Sequence, residues 1–509
     1  MIVRISSTPA LAACFDMNRT PTKCSADSLT CYPRKAGADL LNSHPKIFRL
    51  SQTALARTIH RMKSFYRVAS PFLFLLLSLA APQLCAQDWV HTGTNLGNDR
   101  IRIAAADFKP SGADPQTPAL KAVFDATLYA DLGNAGIFDL VSKSMAPQAT
   151  PGSPAEISLP QWSAAPSSAA MVAFGSLSAV NGKVIVDGWL FDAGNTASPQ
   201  VLGKHYTDTA SEESARAIAH RFADEIILRL GGGINGIAET KIYFISTRTG
   251  TKEVWAMDYD GQNQHQITHL AAISLSPRIS PDNSRLAFAS LGRDGWSIRM
   301  YSLELNRYVA FPGGTAGGSN QSPAWTADGA KIAFSSSRTG NPEIWLADSS
   351  GGNLHKLTAF KGPNVAPTFN PRTGAQLAWV SGRTGLPQIY TMDIDGSNVQ
   401  RITDGGYAVS PSWSPNGQLL AFSWNRKYGP GDPGGDDIHV IDLASKDYLQ
   451  ITHESGSNDF PSWAPDGRHI VFQRTIGSHT EIWAMLADGT HQVQLTRTGN
   501  NSMPNWSWK

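Results

Sequence analysis

The chain has 509 residues, 41% of them apolar, with 43 Lys and Arg against 41 Asp and Glu, enough for two to four domains with sizeable cores. Its 45 Gly and 31 Pro favour many short strands and turns over long helices. Taking away residues 1–86 removes 11 basic and 3 acidic side chains and leaves 32 against 38, net −6, which lacks the electrostatic footprint of a nucleic-acid binder. The same cut removes all four cysteines (Cys14, Cys24, Cys31 and Cys85), so no disulfide is expected in what remains.

That cut has a reason. From Met62 a basic start (Lys63, Arg67) leads into the apolar Phe72 to Ala81 and then to small residues around Ala86, the form of a secretory signal peptide. The apolar run is too short for a membrane span, which needs about 20 residues. Cleavage after Ala86 is expected; Cys85 raises a lipoprotein alternative, but bulky Leu84 precedes it. Residues 1–61 then stand before an export signal and read as an over-extended start, with a real cytosolic leader as the alternative.

Residues 87–236 read as a small α/β domain. A strand is expected from Ile101 and a helix with Leu120, Val123, Phe124 and Leu128 on one face. Val172 to Ala179 and Val184 to Leu190 flank Asn181-Gly182, a hairpin signal. A last helix follows Ser211, a candidate N-cap, with Ala215, Ile218, Ala219, Phe222 and Ile226 as its apolar stripe, and ends near Gly231. The Pro-, Ala- and Ser-rich stretch 145–166 is expected to be a loop.

From 237 to the end a phrase recurs: Ser-Pro-Arg-Ile-Ser-Pro-Asp at 276–282, Ser-Pro-Ala-Trp-Thr-Ala-Asp-Gly at 322–329, and relatives at 366–371, 410–417, 460–467 and 503–507. Its prolines Pro277, Pro323, Pro367, Pro411, Pro461 and Pro504 are spaced by 46, 44, 44, 50 and 43 residues, a period that points to propeller blades. Each unit continues with an apolar strand (Ile332-Ala-Phe334), an Arg-x-Gly turn (Arg338 to Gly340), a third strand (Glu343-Ile-Trp345) and a stretch ending in Leu357-Thr358 or its equivalents Ile402-Thr403, Ile451-Thr452 and Leu495-Thr496. The run Ile242–Thr268 lacks a phrase before it, and the last phrase has nothing after it. The two complete one blade, so a six-bladed β-propeller closed by the C-terminal strand is expected. Trp325, Trp413, Trp463 and Trp506 recur at one place and read as blade packing.

Motifs for chemistry are sparse. There is no G-x-S-x-G elbow and no H-E-x-x-H. Gly175 with Gly182-Lys183 has the wrong spacing for a phosphate loop. Asp258-x-Asp260-Gly261 and Asp393-x-Asp395-Gly396 place their glycines too early for an EF-hand and read as turns. No catalytic, cofactor or metal residue is assigned. A hydrolase or lyase with a site assembled from scattered propeller loops stays open as the rival reading.

With these residues in hand the chain resembles the TolB family of the Tol–Pal system over 88–509. The resemblance rests on the order of signal, α/β domain and six blades, and on Ala130-Asp-Leu-Gly-Asn-Ala-Gly-Ile-Phe138, Trp162, Val172 to Ser176, Ala219-His220 and Thr240-Lys-Ile-Tyr243. The leader 1–61 departs from it, as does Arg278-Ile279 where Ala-Trp is usual. The resemblance implies a non-enzymatic periplasmic adaptor whose propeller binds the peptidoglycan-associated lipoprotein Pal, whose segment after the signal peptide contacts TolA, and which supports outer-membrane integrity and constriction at division. Loops that precede the repeated prolines are the candidate partner site: His269, Ser274, Asn320, Asn364, Tyr407, Asp459, Phe460, Ser502 and Met503. The resemblance raises His269 most, with Tyr407 and Phe460 as aromatic anchors.

Overall fold

The computed structural model describes residues 100–509 apart from 316, 430–433, 454–455 and 509. The expected leader and signal peptide lie outside the described residues. Among those described, no helix is long and apolar enough to cross a membrane.

The N-terminal part is a sheet with helices on both faces. Strands β1 (Ile101–Ala105), β2 (Lys109–Ser111) and β3 (Phe138–Leu140) run parallel to their neighbours, while β4 (Met171–Val180), β5 (Lys183–Asp192) and β6 (Gln200–Thr209) form an antiparallel meander. The order is β3-β1-β4-β5-β6, with β2 on the β4 edge. The β4–β5 turn has positive φ at both Asn181 and Gly182, the type I′ geometry that the pair favours. Helices α1 (Thr117–Asn134) and α3 (Glu212–Leu230) share one core built on Phe124, Leu128, Ile218, Phe222 and Ile226. Ser211 caps α3 by accepting from the Ser214 N–H at 3.1 Å, and Glu212 and Glu213 follow in the first turn, where the helix dipole favours negative charge.

The stretch 145–166 is not all loop. A short helix α2 (Leu159–Ser163) lies within it. Pro160 presets the helical φ near its start, and Trp162 is buried on the second sheet face with Val172, Phe174 and Phe191. One buried indole is enough to order a segment whose composition reads as loop.

The rest is a six-bladed propeller of four-stranded sheets. Blade 1 pairs Asn501–Trp506 with Lys241–Ser246, in register Asn501↔Ser246 and Trp506↔Ile242, followed by Glu253–Asp258 and His265–Gln266. Blades 2 to 6 begin at Ser274, Asn320, Asn364, Tyr407 and Ser457. The last strand of the chain thus closes the ring and gives blade 1 the same four strands as the other blades. In four of the phrases the tryptophan is buried between blades; the Trp325 and Trp413 indoles donate to the carbonyls of Arg278 and Thr368 in the preceding blade at 3.0 and 3.2 Å. The Asp-x-Asp-Gly stretches are turns: Asp258 accepts from Gly261 N–H, which has φ +86, and Asp393 accepts from Gly396 N–H.

Candidate functional site

Every inner strand carries a β-bulge just before the proline, where the register slips between Leu275 and Arg278, Gln321 and Ala324, Val365 and Thr368, and their equivalents. The residue at the bulge adopts positive φ in all six blades: Ser276, Ser322, Ala366, Ser410, Phe460 and Met503. The bulge keeps the residues ahead of the proline paired to the second strand. Most of the expected loop residues are therefore strand residues.

Ser274, Asn320 and Asn364 open inner strands and are fully buried; Asp459, Phe460 and Met503 are buried, while Tyr407 and Ser502 are half-buried. Of the nine expected partner residues, His269 alone stands in a connecting loop and is exposed. The expectation that all nine are loop residues is corrected: all but His269 lie on inner strands, where pairing takes most of them out of solvent.

An inter-blade latch explains the Leu-Thr or Ile-Thr ending of blades 1 and 3 to 6. Thr358 Oγ1 accepts from Ile344 N–H at 2.8 Å and donates to Glu343 at 2.5 Å. Glu343 also accepts from Asn364 of the next blade at 3.1 Å. Thr496, Glu481 and Asn501 repeat the arrangement, as do Thr452, Asp437 and Asn458. Arg338, of an Arg-x-Gly turn, and Arg474 lie over the third-strand aromatics Trp345 and Trp483 at 4.9 and 4.5 Å and donate to Asn320 and Asn458 at 3.0 and 2.8 Å. A carboxylate, an amide and a guanidinium are joined at the Thr452 and Thr496 latches, where Arg474 and Arg248 donate to Asn458 and Asn501, as buried polar groups require. Burial raises the Asp459 carboxyl, against hydrogen bonds from Ser423, Ser410 and its neighbouring N–H.

Topology assigns two faces. Connections between blades and the turns joining second to third strands lie at one end of every sheet; turns joining first to second and third to fourth strands lie at the other. Among the described residues, the polar contacts of the N-terminal part are with the second face. Tyr259 Oη donates to Asp131 of α1 at 2.5 Å, His220 of α3 holds the other oxygen of Asp131 at 2.8 Å, and Arg216 pairs with Asp260. His469 Nε2 meets the Asn134 carbonyl at 2.7 Å, and its Nδ1 meets Asp466 at 2.7 Å. Burial pushes the Asp466 carboxyl up, but His469 and Arg468 outweigh it and hold it at about 2.

Among the described residues, the first face makes no hydrogen bond or ion pair with the N-terminal part. Beside His269 it exposes Ile273, Leu386, Tyr428 and Ile476, the last 61% accessible. The Tyr428 ring lies 5.1 Å from that of Tyr407, tilted by 39°. Composition gave no periodic signal for these four because turns have none; what marks them is an apolar residue beside a turn. Apolar anchors within a polar surround are the surface expected of a protein interface.

The profile of the TolB beta propeller domain matches residues 229–509. The Tol-Pal system protein TolB of Gluconobacter oxydans is 32% identical over 383 residues, 74% of this chain and 79% of that protein. The Protein TolB homolog of Chlorobium chlorochromatii is 36% identical over 205 residues, 40% of this chain and only 44% of that protein's length. The crystal structure of TolB from Acinetobacter baumannii superposes with TM-score 0.67 at 22% identity, covering 81% of this chain and 97% of the other, a likeness of fold.

Proposed function

Because the chain belongs to the TolB family, we propose that it works as a non-enzymatic periplasmic adaptor of the Tol–Pal system. In this reading the loop face of the propeller binds Pal, and the segment following the expected signal peptide, outside the described residues, engages TolA. The coupling serves outer-membrane integrity and constriction at division. The observation that carries the reading is a face opposite the N-terminal contacts that combines His269 with the exposed Ile273, Leu386, Tyr428 and Ile476. Binding sites of this kind draw most of their energy from a few anchors.

The test replaces side chains that do not serve the latch. His269→Ala, Ile273→Ser and Ile476→Ser together are expected to weaken Pal binding more than about tenfold, or ~1.4 kcal/mol, measured by titration calorimetry. Exposed substitutions of this kind stay within about 0.5 kcal/mol of wild-type stability, so the melting temperature serves as the folding control. An unchanged affinity in the folded triple variant refutes the loop face as the Pal site. Phe460→Ala, by contrast, changes a buried residue and reports on packing.

A further inference from the structure

One residue of the repeat is chemically out of place. The position between Pro and Trp in the phrase is Arg278, Ala324, Thr368, Ser412, Ser462 and Asn505 around the ring. Closure brings all six to one cavity of about 90 Å³ in the central channel, walled by tryptophans and prolines of the phrases. Five are small or neutral; the sixth is a guanidinium.

Arg278 has one protein acceptor, the Pro277 carbonyl at 2.9 Å from Nη1. Among the described residues no carboxylate pairs with it, and burial alone lowers it, to about 10. Arg338 and Arg474, by contrast, have side-chain partners in the latch, and Arg468 pairs with Asp466 at 3.2 Å. The neutral members of the ring are also donor-rich. Ser412 and Ser462 accept from the backbone N–H groups of Trp463 and Trp506 at 3.4 and 3.1 Å, which leaves their O–H hydrogens to donate. The Asn505 carbonyl oxygen is taken by the Ile279 N–H at 2.9 Å. A cavity lined by a guanidinium and hydroxyls has, among the described residues, no anionic acceptor. Arg278 is only partly accessible from the channel, where an unpaired guanidinium gains from a counter-charge, and a guanidinium fork matches the two oxygens of a carboxylate or oxyanion.

We propose that the propeller channel holds an oxyanion site in which Arg278, with the Ser412 and Ser462 hydroxyls, binds a carboxylate-sized anion. The site opens toward the turns between first and second strands, away from the loop face, so it stands independently of the adaptor reading. The anion comes either free from solution or as a carboxylate at the end of a chain inserted into the channel.

The test is calorimetric titration of the purified protein with sulfate, in chloride at matched ionic strength, for wild type, Arg278→Gln and Arg278→Ala. Alanine already stands at the equivalent Ala324, so the blade geometry accepts it; thermal melting checks folding of both. Sulfate is expected to bind wild type more than about tenfold tighter than either variant. Displacement of sulfate by a short peptide with a free C-terminal carboxylate, and not by its amide, assigns the site to an inserted chain; sulfate binding that both peptides leave unchanged assigns it to a free anion. Equal sulfate binding by wild type and a folded variant, or no binding to wild type, overturns the proposal.

Discussion

Ring closure can be tested through one side chain. Trp506 is buried in the last strand, its indole donates to Thr240 at 2.8 Å, and its ring lies 6.3 Å from that of His469. It packs with Ile242, Phe244 and Met257 of blade 1 and Val471 and Ile482 of blade 6. Trp506→Ala removes on the order of 200 Å² of buried aromatic surface, worth ~5 kcal/mol at about 25 cal/mol per Å². Partial collapse of the cavity brings such truncations to about 3–5 kcal/mol. The lost hydrogen bond adds little, because Thr240 keeps its donation to the Ile237 carbonyl at 2.6 Å. We expect a loss of about 4 kcal/mol in urea unfolding, against less than about 1 kcal/mol for Trp508→Ala, whose side chain is 37% exposed. A Trp506→Ala protein that unfolds like wild type would refute the idea that this strand seals the ring.

The latch predicts that Thr496→Val, which orphans the buried Ile482 N–H, costs about 1–3 kcal/mol by chemical denaturation; a neutral result removes its structural role. At the junction, Tyr259→Phe takes one donor from Asp131 and is expected to cost about 1–3 kcal/mol, with faster amide exchange in α1; unchanged exchange there would count against the coupling. Asp466, held at about 2 against an ordinary 3.8, stabilises the fold fully above about pH 4, and that contribution is lost as pH falls from about 4 through 2, where the folded carboxylate takes up its proton. Its size is on the order of 2 kcal/mol, and Asp466→Asn is expected to flatten the stability profile across this window; an unaltered acid limb contradicts the assignment.

Much of this architecture is readable in the chain because a repeat states the same local rule several times. The period of the prolines, the incomplete units at the two ends and the Asn181-Gly182 and Ser211 signals each lead to the element found. The candidate site was harder to read for a physical reason. Asn320 and Asn364 precede a proline and look like turn residues, yet their amides are consumed by the latch, whose partners Arg338 and Glu343 are distant along the chain. Phe460 and Met503 take positive φ, where a non-glycine residue is unexpected, so a local rule places them in a loop. Arg278 was visible as a break in the phrase, but only closure of the ring shows that its five equivalents share one cavity with it.

On the adaptor reading proposed above, the division between faces bears on how a partner is recognised. At the loop face the latch fixes the start of the inner strand, and the stacked arginine fixes the adjoining turn, so little backbone remains to be ordered on binding and the entropic cost of association is reduced. Recognition there must come from the side chains the latch leaves over, which are His269 and the exposed apolar residues. The opposite face is built otherwise. Its contacts to the N-terminal part are polar and buried, through Asp131, His220, Tyr259 and Arg216, and Asp224, which receives the Ala238 and Glu239 N–H groups, is pushed up to about 6 by burial. Networks of this kind lose most when a single member is displaced. A rearrangement of the two parts would therefore leave the loop scaffold intact while disturbing the junction, so substitutions at the junction and at the loop face should act on separable properties of the protein.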